Sequence, residues 1–174
     1  TGVNLFENVR KQGALNLDGN SWAEVHDNAS LDITDAITLE CWYYNDGSND
    51  KGLFGRYFSG NTSFLLYAAN TPNSVEFFTN TSASVKLNLS SGWHHVLGTY
   101  DGANRKLYVD GVLEDTDAYT TDMDTNSKPI EIGRYFGSSA KAYTNQIAQP
   151  RIYNRALTAE EVQRNYDAGK NIYK

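Results

Sequence analysis

The chain has 174 residues, enough for one domain with a substantial core, and 40% of them are hydrophobic. Its formal net charge is −6 with no basic run, which argues against a nucleic-acid partner held through phosphates and against a surface held by anionic lipid. No apolar stretch reaches the length of a membrane span, and the single cysteine, Cys41, excludes an intrachain disulfide.

The chain starts at Thr1 without a signal-peptide pattern, which points to a processed or excised piece. Residues 1–174 read as one domain, with 1–12 as a linker or N-terminal extension. Short alternating runs separated by Gly, Asn, Asp and Ser then recur, the pattern of an all-β sandwich or barrel. Gly13–Gly19 and Trp22–His26 read as the first strands, Asp27–Thr34 as a turn or short helical connection, and Ala36–Tyr44 as a long strand around a buried Cys41. After the polar loop Asn45–Asp50, Lys51–Phe58 and Ser63–Ala69 form a hairpin around "SGNT", followed by strands Ser74–Thr79 and Ser84–Leu89.

From Trp93 to Thr116 two hairpin signals, Asp101-Gly102 and Asp110-Gly111, predict a three-strand meander. His94 and His95 fall in its first strand, where successive side chains face apart, so the two cannot chelate one ion. Lys128–Phe136 and Asn145–Asn154 read as the last strands. A capping box at Thr158 and Glu161 then starts a helix over Ala159–Ala168, with Gly169 placed for a left-handed C-terminal cap.

The stretch "GWHHVLGTYDGANRKLYVDGV" resembles the hairpin region of concanavalin A-like, laminin-G-like jelly-roll domains. "ALNLDGNSWAEVHDNASLDITDAITLECWYY", "PIEIGRYF" and "RIYNRALTAEEVQRNYDAGK" resemble their N-terminal strands, penultimate sheet strand, and closing strand and helix. The likeness runs from about Gly13 to Lys170. It implies an all-β fold, a two-sheet antiparallel jelly-roll sandwich with one short C-terminal helix.

Glycosidases on similar folds carry carboxylates along one strand as Glu-x-Asp-x-x-Glu. The nearest run here, "LEDTDA", sets Asp115 and Asp117 on one face with no third carboxylate in register, so no catalysis is expected. The family's structural calcium implies a turn like Asp18-Gly19 and a closing "Gly-x-Ile-Asp-Glu-Val". In this chain the matching acids are Ala148 and Gln149. "DMDTN" offers Asp122, Asp124 and Asn126 in the opening spacing of a calcium loop, without its later Gly and Glu; a polar loop is the competing reading. Asp46, Ser48 and Asp50 stand on similar terms. Calcium is thus a candidate cofactor, with Asp18, Asp122, Asp124 and Asn126 as its candidate ligands.

One local echo remains: "GRYFSG" from Gly55 and "GRYFGS" from Gly133. Arg56-Tyr57 and Arg134-Tyr135 each end a strand and enter a Gly/Ser loop. If the loops share one end of the sandwich, they flank a shallow site; otherwise they are two strand ends with similar local needs. Arg supplies a fork of donors and Tyr a ring with a polar tip, a combination suited to sugars, with loop-adjacent Trp22 as a further candidate. The leading expectation is a non-catalytic recognition or adhesion module for a polysaccharide or glycoconjugate, within a larger extracellular, cell-surface or virion protein. Its other modules or subunits are the expected partners. The competing reading is a structural or assembly domain, because "EEVQRNYDAGK" resembles the ends of such domains in bacteriophage virion and bacterial surface proteins. A degenerate glycoside hydrolase is a third.

Overall fold

A computed structural model describes residues 13–58, 61–69, 71–80 and 85–173. The predicted linker 1–12 and the centre of the first hairpin turn lie outside them. Among the described residues twelve strands form two six-stranded antiparallel sheets. The first holds β1 (Ala14–Asn16), β12 (Gln146–Tyr153), β3 (Ile37–Asn45), β8 (Gly92–Tyr100), β9 (Asn104–Val109) and β10 (Val112–Ala118), in that spatial order. The second holds β2 (Ala23–Val25), β11 (Ile130–Ile132), β4 (Lys51–Phe58), β5 (Asn61–Ala68), β6 (Ser74–Thr79) and β7 (Val85–Asn88). The expected sandwich forms, with one α-helix among the described residues, α1 (Ala159–Gly169).

Alternation builds the core between the sheets. Ile37, Leu39, Cys41 and Tyr43 of β3 meet Phe64 and Leu66 of β5 and Val75 and Phe77 of β6, all fully buried. Burial pushes the Cys41 thiol well above its ordinary range, so it packs as an apolar group. The other face of the first sheet is covered as well. Leu97 and Tyr108 pack under Leu157 and Val162 at the start of α1, and Tyr173 of the C-terminal tail packs on Ala14, Trp42 and Ala148. Between them Glu40 is fully buried, accepting from Arg151 Nη1 at 2.7 Å and Asn165 Nδ2 at 2.7 Å.

The meander forms as expected. Asp110 and Gly111 take φ of 50° and 82°, the positive pair of a primed two-residue turn. Trp42 is opposite His95 and Tyr43 opposite His94, so the two histidines face apart. His94 lies between Asp110 Oδ2 (2.9 Å) and the Ser90 carbonyl (3.0 Å), while His95 lies 3.2 Å from Glu40 beneath α1.

Three expectations are corrected. The first two strands shrink to Ala14–Asn16 and Ala23–Val25. The strand expected over Lys128–Phe136 is only Ile130–Ile132, because Gly133 (φ 87°) and Phe136 (φ 68°) break the extended chain into a turn. Gly169 makes no left-handed cap: it is the last residue of α1, and Lys170 after it is right-handed with φ −59°. It is glycine for space, since a Cβ there would lie 2.5 Å from Trp42 Nε1.

Candidate functional site

Among the described residues no α-helix packs on the outer face of the second sheet. On β5, Phe64 and Leu66 point inward, so Leu65 and Tyr67 point out. Phe78 of β6 and Tyr57 near the end of β4 join them. The turn after β11 completes the group. Its backbone lies directly on β4 at Gly52, where a Cβ would sit 2.2 Å from the Arg134 carbonyl carbon. The Phe136 N–H donates to the Tyr57 carbonyl at 3.0 Å, which brings the two Arg-Tyr-Phe copies side by side.

Tyr57 and Tyr135 meet edge to face, ring centroids 5.3 Å apart at 87°. Tyr67 lies 5.3 Å from Phe78 and 5.8 Å from Tyr135, and Phe136 lies 5.9 Å from Tyr57. Tyr57, Leu65, Tyr67, Phe78 and Tyr135 enclose a pocket of about 150 Å³. Two of its three tyrosine hydroxyls are tied back into the protein. Tyr67 Oη donates to Glu76 Oε2 at 3.0 Å, and Tyr135 Oη donates to Asp50, which also binds Lys141 Nζ. Burial, reinforced by these carboxylates, pushes both phenols well above their ordinary range. Burial pushes the Asp50 carboxyl up, but the bonds from Lys141 and Tyr135 outweigh it and leave it below the usual range.

The turn is anchored from beneath by Glu131, which is 1% exposed. Glu131 accepts from Arg134 Nε and from the Gly137 N–H at 3.0 Å. Arg134 also reaches Glu24 at 2.7 Å and stacks 3.6 Å over Trp22, whose Nε1 donates to Glu24 at 2.8 Å.

The structure therefore divides the candidate sugar-binding residues. Tyr57 and Tyr135 line one pocket. Arg56 does not reach it: the guanidinium is fully buried against Asp27 (3.0 Å), Asp32 (3.2 Å) and the Asn126 carbonyl (2.7 Å). Arg134 is committed to Glu131, Glu24 and Trp22, and Trp22 stands outside the lining at 36% exposure. Leu65, Tyr67, Phe78, Glu76 and Glu131 are members that sequence reasoning missed, and Asp50 enters in a role other than the one considered. The signal available was the spacing of Leu65 and Tyr67 on one face of β5, masked because that strand is apolar on both faces.

The calcium candidates do not assemble. Among the described residues no three His, Cys, Asp or Glu side chains gather where an ion could sit. Asp18 Oδ1 accepts the Asn20 N–H at 2.9 Å, while Ala148 is buried and Gln149 binds Arg151 and Tyr173. In "DMDTN" the Asp122 carbonyl and Asp124 N–H bind the Asn80 carboxamide at 2.8 and 2.7 Å. Asn126 accepts the Lys128 N–H at 2.9 Å and donates to Ser63 at 3.1 Å. The bonds to Asn80 use backbone groups of the loop, the Asp122 and Asp124 side chains are exposed, and Asn126 is tied to Ser63 and Lys128, so no clustered set of acids stands ready for calcium among the described residues.

Comparisons bear on this geometry. A family model described as the concanavalin A-like lectin/glucanases superfamily matches residues 17–163. A search of curated proteins finds no match. Among solved structures, the binding domain of Paraclostridial Mosquitocidal Protein 1 superposes with a TM-score of 0.68 at 18% identity, over 89% of this chain and 42% of that one. The botulinum neurotoxin serotype G binding domain gives 0.65 at 15%, over 89% and 42%. A protein of Bacteroides ovatus proposed to bind carbohydrate gives 0.66 at 19%, over 82% and 43%. The chain thus spans a little over two fifths of these structures, and identities this low carry the fold alone.

Proposed function

Because the chain belongs to the concanavalin A-like lectin/glucanases superfamily, we propose that it is a non-catalytic recognition module for a polysaccharide or glycoconjugate, bound at the aromatic pocket on the open face of the second sheet. The observation that carries the reading is the convergence of Tyr57 and Tyr135, from two distant copies of one tetrapeptide, on a single pocket. Aromatic rings offer apolar contact to the C–H faces of a sugar at little entropic cost, and few convergent polar groups are needed beside them. The similarity in fold to toxin binding domains and to a protein proposed to bind carbohydrate supports a binding role.

Two carboxylates border the pocket, and each holds a tyrosine hydroxyl: Asp50 that of Tyr135, Glu76 that of Tyr67. Neither is poised as the acid or the nucleophile of glycoside cleavage, which supports the non-catalytic reading. The related structures are more than twice the length of the matched region, which supports work beside other modules or subunits. An extracellular, cell-surface or virion setting fits such a module.

A glycan array followed by calorimetric titration tests the reading. The folded chain binds at least one glycan class, and Tyr57→Ala weakens that binding about tenfold while circular dichroism is unchanged. Reducing-sugar release stays at background. An array blank for a folded sample would overturn the proposal in favour of an assembly role.

A further inference from the structure

Resting on the carbohydrate reading, we propose that the pocket receives a methyl-bearing substituent of the sugar, a 6-deoxy methyl or the methyl of an N-acetyl group, while the ring hydroxyls stay at the rim in water. Size sets the first limit. About 150 Å³ is the scale of a cavity that takes one benzene-sized guest and no more.

Hydrogen bonding sets the second. Leu65 and Phe78 carry no polar side-chain atom, and the hydroxyls of Tyr67 and Tyr135 are already donated to Glu76 and Asp50. A pyranose pushed fully inside would bury several hydroxyls against walls that offer only the oxygens of three tyrosines, too few to answer them all, which costs more than the contact returns. A methyl group asks nothing of those walls and gains ring contacts on several sides. Tyr57, half-buried, is the one lining tyrosine whose hydroxyl is not given to a carboxylate. It is therefore the group placed to bond a sugar hydroxyl at the rim.

Charge sets the third. Asp50 and Glu76 stand directly behind the two tyrosine hydroxyls. Lys141 is held by Asp50, Lys51 by the Ala140 carbonyl, and Arg134 by Glu131 and Glu24. A carboxylated sugar would bring a further anion beside Asp50, toward described cations that are already engaged, so the ligand class is neutral.

The test uses matched monosaccharides on the isotope-labelled chain, followed by NMR. L-Fucose is paired with L-galactose, which differs only by a hydroxyl at C6, and N-acetylglucosamine with glucose. The expected result is that a methyl-bearing member binds roughly tenfold more tightly than its partner and shifts the signals of Leu65, Tyr67, Phe78 and Tyr135. Phe78→Ala erases the preference. Tyr57→Phe weakens both members and preserves it, which separates the rim bond from the apolar pocket. Equal binding within each pair, shifts centred elsewhere, or no shift from any of the four sugars would overturn the inference. If the glycan array is positive while the pairs fail to separate, the methyl assignment falls and the carbohydrate reading stands. A blank array as well brings down both.

Discussion

Arg56 and Arg134 hold the same place in two copies of Gly-Arg-Tyr-Phe, yet neither reaches the pocket that their tyrosine neighbours line. Each is captured by carboxylates from elsewhere in the chain: Asp27 and Asp32 for Arg56, Glu24 and Glu131 for Arg134. A local repeat can suggest that two tyrosines share a site, because both copies sit at strand ends. It is silent on partners brought by folding, so the arginines look available in the sequence and are not. Leu65, Tyr67 and Phe78 were hidden for a related reason: when both faces of a strand are apolar, alternation does not say which face is core. The His94–Asp110 pair makes the residue scale measurable. The bond to Asp110 lifts His94 above its ordinary 6.5 against the pull of burial, so its contribution is complete below that value and fades as pH rises through the lifted one. Burial pushes Asp110 up, but the bonds from His94 and the His95 N–H leave it below 3.8. Its contribution holds above that value and is lost as pH falls through the lowered one. The advantage of the wild type over His94→Gln in urea unfolding is therefore greatest between these ordinary values and smaller by about pH 8.5. It amounts to ~1 kcal/mol or less, since Asp110 is a third exposed and screened. An advantage that grows on the alkaline side would contradict the assignment.

At the scale of elements, α1 shows how far a sequence signal reaches. Its start is legible because a capping box is chemistry between residues three apart, and Thr158 and Glu161 form it. Its end is misread because Gly169 answers to a ring from β3 rather than to the helix backbone. Gly169→Ala separates the two explanations. In an open helix the change would stabilise by about 1 kcal/mol. Here the new methyl meets Trp42, which is itself held by Tyr166, Tyr173 and His95 and has nowhere to move. A net loss of about 1–2 kcal/mol in urea unfolding is expected, with altered tryptophan fluorescence. A gain in stability would refute the packing account. Strand β11 carries the complementary lesson. Its pattern runs on into Arg134-Tyr135-Phe136, but positive φ at Gly133 and Phe136 ends it, and that early end is what delivers Tyr135 to the pocket.

For the whole molecule, the sandwich was legible because many short alternating strands, two Asp-Gly turns and one closing helix all require the same opposing apolar layer. The calcium candidates are a different case, because spacing counts carboxylates without knowing whether folding gathers them, and among the described residues no three acids come together. Adding millimolar calcium, or removing divalent ions with EDTA, should move the melting temperature by no more than about 1 °C, since an ion bound only by the native state would raise it by mass action. A clear, saturable rise with calcium would show that a site exists after all. The two sheets also differ in what lies outside them. The first carries α1 and the C-terminal tail, while the second carries the turn after β11, which completes the pocket. Gly13 and Tyr173, at the two ends of the described chain, come together on the covered side, where a Cβ at Gly13 would lie 3.6 Å from Tyr173 Oη. Those two described ends lie on the face opposite the pocket. Joining those neighbouring ends and opening the chain at a distant loop should yield a permuted version with its recognition face undisturbed.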